Sequence, residues 1–295
     1  MNIRETVKAL RAYFQSGATL SREARCTALL KLKKGIKRHE EEITEALHSD
    51  LGKSPTEAYM TEIASLYSDI DHAIRHLKGW MRPHRVGTPL SLAPACSRVV
   101  QSPYGVTLII APWNYPILLT LSPLIGALAA GNCAVLKPSE SATACARVIC
   151  KLLSSCLDER LVTVINGDAE VAKSLLNEHF DFIFYTGNAQ VARYVMEKAA
   201  RHLTPILLEL GGKSGSHEKT CGLCVDFCQS EQEKLSIYDA TQQSPELFHF
   251  CIKGFSRCIC RPIDKVVKDF ILSVIHSCRY IIEGFIPKFS YFAIP

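Results

Sequence analysis

Between residues 3 and 80, apolar side chains recur three and four positions apart within otherwise charged sequence. The runs are ETVKALRAYF, REARCTALLKLKKGIKRHEEEITEALHSDL and EAYMTEIASLYSDIDHAIRHLKGWM. That spacing lines one face of a helix with 3.6 residues per turn, so it predicts amphipathic helices. Ser21, just before the second run, is placed to cap its first turn. From Arg98 the period changes. Short β-rich runs, SRVVQS, GVTLIIA, CAVLKP, LVTVING, FDFIFYT and PILLEL, alternate with helical stretches near 119–130, 141–156, 169–178 and 188–202. Strands that are apolar on both sides, separated by helices, predict a doubly wound parallel α/β sheet covered on both faces. Ligands of such sheets lie outside the carboxyl ends of the strands.

The rhythm stops near Ser214. Residues 1–214 contain 25 alanines and 6 cysteines, whereas residues 215–295 contain 2 alanines and 7 cysteines. Only EQEKLSIYDA and DKVVKDFILSVIHSC retain helical spacing beyond that point. The chain therefore divides into a helical part at 1–97, an alternating α/β part at 98–210 and a divergent tail at 211–295.

Composition excludes several function classes. With 295 residues, 47% of them hydrophobic and 21% charged, the chain carries enough apolar sequence for a folded core. Its 34 basic and 29 acidic side chains give a net charge of +5 and are interspersed, without a basic block to track a phosphate backbone. No nucleic-acid partner is expected. No membrane span is expected, and MNIRETVKALRAYF lacks the apolar core of a signal peptide. A cytoplasmic location with reduced thiols is expected for the thirteen cysteines.

The candidate chemistry sits at strand ends. APWNYPILLTLSPLIGALAAGNCAVLKPSE (111–140) turns through Asn114 after one strand and closes the next at Lys137. FYTGNAQVAR (184–193) puts Gly187 and Asn188 between a strand and a helix start, where backbone N–H groups can face a pyrophosphate. LELGGK places Glu209 at the end of a further strand beside glycines. Each position taken alone has an ordinary structural reading: a turn asparagine, a solvated strand-end lysine, a helix-start glycine. A carboxylate closing an apolar strand is less ordinary, and four such positions on successive strand ends point to a site.

The set PWNYP, LKPSE, FYTGN and LELGGK resembles the aldehyde dehydrogenase superfamily, and the short N-terminus with PWNYP is most similar to its class 3 branch. The resemblance covers residues 1–214. It implies a Rossmann-like cofactor domain that binds NAD or NADP, and oxidation of a small-molecule aldehyde to a carboxylic acid. By the same resemblance, Asn114 would stabilise an oxyanion and Glu209 would activate water. Lys137 and Glu140 would hold the adenosine ribose, with Gly187, Asn188, Leu210 and Gly211 beside the rest of the cofactor. Gly187 would open the helix at the pyrophosphate. A second glycine usual in the family is replaced here by Val191 and Ala192.

The family's reaction also requires a thiol that attacks the aldehyde. Its Gly-Gln-Thr-Cys stretch, laid on this numbering without gaps, falls at Ala240, Thr241, Gln242 and Gln243. The family's oligomerisation hairpin is not recognisable either, so its homodimer is not expected. Three readings stay open: an aldehyde dehydrogenase with impaired chemistry, a catalytically dead dinucleotide-binding or scaffold protein, and an unstable product of a damaged gene. The tail contains C-x-x-C at Cys221 and Cys224, but the spacing to later His and Cys residues is irregular and no metal site is expected.

Overall fold

The computed structural model describes residues 2–92 and 94–211. The readings made for the tail, including position 243 and the C-x-x-C pair, lie outside the described residues. The N-terminal segment forms α1 (Ile3–Gln15), α2 (Arg22–Arg38), α3 (Glu40–Leu51) and α4 (Pro55–Ala58), then a π-helical turn at Tyr59–Ile63 that runs into α5 (Ala64–Trp80). Ser21 caps α2 as its sequence position predicts, its hydroxyl accepting the Ala24 N–H at 3.1 Å. The long run from Arg22 to Leu51 is two helices. They break at His39, whose ring nitrogen and backbone N–H both bond to Gly35 O, while Glu40–Glu42 begin a new first turn with acidic side chains.

Two short strands follow, β1 (His84–Val86) and β2 (Ser97–Val99), and they pair antiparallel with each other. The run SRVVQS is thus a strand but not a member of the parallel sheet. It is three residues long and largely exposed, without the continuous burial of a central parallel strand. The sheet itself comprises β3 (Val106–Ile110), β4 (Cys133–Lys137), β5 (Val162–Val164), β6 (Phe182–Gly187) and β7 (Ile206–Leu210), all parallel. The crossover helices are α6 (Pro116–Ala130), α7 (Thr143–Cys156), α8 (Ala169–Leu176) and α9 (Ala189–Ala200). α6 begins three residues earlier than its apolar run suggests, because Pro116 occupies the first turn, where a missing N–H costs nothing.

The strand order β5-β4-β3-β6-β7 is doubly wound. The chain runs outward from β3 through β4 to β5, then crosses back to build β6 and β7 on the other side. One face packs Ile109, Leu136 and Phe184 with residues of α2, α5, α6 and α7. The other packs Ile110, Val135, Tyr185 and Leu208 with α1, α8 and α9. The first helix of the chain therefore covers the sheet on the side that α6 and α7 leave open. The reversal of order between β3 and β6 opens a crevice at their carboxyl ends.

Candidate active site

Register sets the site. Ile110 pairs with both Lys137 and Tyr185, and Tyr185 pairs with Leu208, so four strands end level. One residue further Thr186 pairs with Glu209, and then Gly187 with Leu210. The Gly211 N–H extends this ladder to Gly187 O at 3.3 Å. Because side chains alternate, Glu209 and Thr186 project on the face of Phe184, whereas Lys137 projects on the face of Ile110. The polar groups thus flank the crevice from both sides of the sheet.

A cleft of about 910 Å³ opens there. Its lining includes Asn114, Lys137, Glu140, Gly187, Asn188, Glu209, Leu210 and Gly211, the full set of residues singled out in the sequence. They come from four strand ends and two helix starts, and the fold brings all eight together.

Lys137 is not the solvated strand end that its type suggests. It is 3% exposed, and its ammonium donates to Glu140 Oε2 at 2.5 Å and Pro138 O at 3.2 Å. Glu140 stays half exposed at the cleft rim. Partial burial pushes its carboxyl up, but the hydrogen bond and charge of Lys137, together with a backbone hydrogen bond, outweigh that and hold it below the ordinary carboxylate value. The pair therefore offers a donor and an acceptor side by side, as a diol requires. Asn114 is exposed on the turn after β3 and lines the cleft.

Gly187 closes β6 and does not open the helix; Asn188 is the cap of α9, its Oδ1 accepting the Val191 N–H at 2.9 Å. The glycine has a local reason. A Cβ at that position would collide with the Tyr185 hydroxyl, which itself lies 3.3 Å from Asn188 O. Of the two residues that replace the family's second glycine, Ala192 is buried in the packing of α9 on the sheet, whereas Val191 is exposed and lines the cleft. The start of α6 is a poor anion site by comparison, since the N–H groups of Ile117 and Leu118 are already taken by Glu62 Oε2 at 2.9 and 3.0 Å.

Glu209 is half buried, and desolvation raises its carboxyl above the ordinary value. Its register partner Thr186 went unnoticed in the sequence, although it lies inside FYTGN. The Thr186 Oγ1 is buried without a hydrogen-bond partner among the described residues. Only the three-dimensional register shows this hydroxyl beside Glu209 in the cleft. A hydroxyl and a half-buried carboxyl next to each other, neither with a partner among the described residues, suit a polar ligand group that both could meet. Trp113, Tyr115 and Tyr194 add aromatic walls, and Lys173 adds a rim cation. Among the described residues no group of three or more His, Cys, Asp or Glu could hold a metal ion, and no helix is long and apolar enough to cross a membrane.

Comparison with known proteins agrees with this geometry. The profile of the aldehyde dehydrogenase family matches residues 1–216. Aldehyde dehydrogenase family 3 member H1 of Arabidopsis thaliana is 45% identical over 208 residues, which are 70% of this chain and 43% of that protein. The substrate-bound AldH of Staphylococcus aureus superposes with a TM-score of 0.71 at 43% identity, covering 72% of this chain and 47% of that one. The indole-3-acetaldehyde dehydrogenase AldA of P. syringae, solved as a C302A mutant in complex with NAD+ and IAA, superposes with a TM-score of 0.64 at 25% identity over 72% of this chain and 43% of that one. The chain spans less than half the length of these relatives.

Proposed function

Because this chain belongs to the aldehyde dehydrogenase family, we propose that its cleft binds a nicotinamide dinucleotide, NAD or NADP, and that the family's aldehyde oxidation is impaired in it. One observation carries the binding half: residues from four strand ends line a single cleft at the switch point of a doubly wound sheet, where such sheets take their ligands. The Lys137–Glu140 pair supplies donor and acceptor for a ribose. The first turn of α9, with its positive dipole end facing the cleft, suits a pyrophosphate. The dinucleotide, when bound, accepts the hydride.

The remaining roles fall to this chain's own groups. Asn114 would donate its amide to negative charge developing on an aldehyde oxygen, and Glu209, with a raised carboxyl, would take a proton from water. Thr186 Oγ1 would meet a polar group of the ligand beside Glu209. The impairment rests on Gln243, which stands where the ungapped family pattern has its thiol. The family's aldehyde substrates come to this chain on the same footing.

Calorimetric titration of the purified chain with NAD and with NADP tests the reading. Saturable binding is expected for at least one of them, weakened about tenfold or more by Lys137→Met, which leaves Glu140 without its cation. Absence of saturable heat up to millimolar concentrations of both would overturn it.

A further inference from the structure

We propose that His72 and His76, on the outer face of α5, form an exchangeable site for a divalent transition-metal ion of the copper, nickel or zinc type. The two residues are one helical turn apart, and their ring centroids lie 4.2 Å from each other with an interplanar angle of 31°. Residues four apart on a helix point the same way, so both imidazoles can turn a nitrogen toward a common point about 2 Å from each.

The second observation is the state of His76. Its Nδ1 lies 2.8 Å from the backbone oxygen of His72. A carbonyl oxygen can only accept, so Nδ1 carries the hydrogen. In the neutral ring the lone pair is then on Nε2. An imidazole that donates from Nδ1 to a carbonyl and keeps its lone pair on Nε2 has the tautomer that metal-ligating histidines use. His76 is exposed, so the ion need not enter the core.

Neighbouring groups define what the site can hold. Asp69, one turn before His72, is engaged by the Ser122 hydroxyl at 2.7 Å, and Asp71 is paired with Lys33 at 2.6 Å. No third His, Cys, Asp or Glu completes the pair among the described residues. Water fills the remaining positions, which makes the ion exchangeable and favours metals that prize imidazole nitrogen over carboxylate oxygen. Among divalent ions the expected order is copper first, with nickel and zinc below it and magnesium or calcium not bound.

Trp80 reports the event. Its indole stacks near His76 at 5.8 Å with an interplanar angle of 23°, and lies 5.7 Å from His72. The chain has two tryptophans, so Trp113→Phe leaves Trp80 as the only one. The experiment titrates CuCl2 and NiCl2 into the full chain carrying Trp113→Phe, following tryptophan emission. It is repeated after alkylation of accessible thiols with N-ethylmaleimide, and with MgCl2.

Saturable quenching by copper and nickel that survives alkylation is expected, with no response to magnesium. His72→Gln and His76→Gln, each made alone at exposed or half-exposed positions, should each raise the midpoint at least about tenfold, since each removes one of two protein ligands. Equal midpoints in the parent and both variants would overturn the site. Quenching that disappears on alkylation would also overturn it, by assigning the metal to cysteine thiolates.

Discussion

The Glu62 carboxylate accepts the Lys53 ammonium at 2.5 Å through one oxygen and the N–H groups of Ile117 and Leu118 through the other. Tyr115, at the N-cap of α6, gives that helix no side-chain cap, so Glu62 supplies it from 55 positions away in the chain. Lys53 in turn sits 4.0 Å from the centroid of the Tyr115 ring. The helical N-terminal segment thereby fixes the Trp113–Tyr115 wall of the cleft. Glu62 is fully buried and desolvation pushes its carboxyl up, so the arrangement depends on all of its partners.

Glu62→Ala would leave a buried ammonium and two helix N–H groups unanswered. Breaking such a pair from one side costs about 3–5 kcal/mol. Chemical denaturation of the variant should show a loss of that order. Lys53→Met should cost less, since Glu62 can take up a proton and keep its backbone bonds. A Glu62→Ala loss under about 1 kcal/mol would mean that water replaces the carboxylate there.

Glu209 is raised in the same direction, by burial alone. Its folded carboxyl is raised by burial, so the folded state holds a proton over a pH range in which the unfolded chain has released it. Stability from this group is therefore greatest below the ordinary carboxylate value of 4.5 and is lost as pH rises through the folded value. Glu209→Gln should be more stable than the parent at pH 7 to 8, with the difference closing toward pH 4. Melting temperatures of both proteins across that range check it, and a pH-independent difference would contradict the assignment.

Gly187→Ala should destabilise through contact, not backbone strain, because the new methyl meets the Tyr185 hydroxyl and ring. Overpacking of this kind costs roughly 1–3 kcal/mol. The double variant with Tyr185→Leu should lose less than the sum of the two single losses. A double-mutant cycle in denaturant measures that coupling; strict additivity would place the cause elsewhere.

The parallel sheet was legible because its strands are nearly continuous apolar runs, such as VTLII and CAVL, and a buried strand needs little more to declare itself. The cleft was legible for a related reason: Asn114, Lys137 and Glu209 are the first polar positions to close their apolar runs, Gly187 is the glycine that ends β6, and a parallel sheet brings equivalent ends together. Contacts between distant segments left no such trace. Glu62 and Lys53 read as ordinary charges on an amphipathic helical stretch, since nothing periodic announces that a π-helical turn aims the carboxylate at α6. The β1–β2 ribbon was hidden because three exposed residues carry no burial pattern. Thr186 became conspicuous only through the absence of a partner, which a sequence cannot display.

The last prediction concerns turnover. The family's oxidation passes through a thiol adduct of the aldehyde, from which hydride leaves and which water then resolves. In the proposed roles, Asn114 would stabilise charge only where that adduct forms, and Glu209 would activate water usefully only against the thioester that follows. If Gln243 stands at the family's thiol position, as proposed, both groups lack a partner in the reaction even when well placed. Loss of a nucleophile costs several orders of magnitude in rate, because residues of such a unit act together. Short-chain, long-chain and aromatic aldehydes should therefore yield no reduced cofactor above background at 340 nm. Gln243→Cys alone should not restore the rate, since the flanking Ala240, Thr241 and Gln242 also differ from the family's stretch and a nucleophile must be held to about half an ångström. Turnover in the parent chain that disappears on thiol alkylation would assign the nucleophile to another of its cysteines and would reverse the reading of position 243.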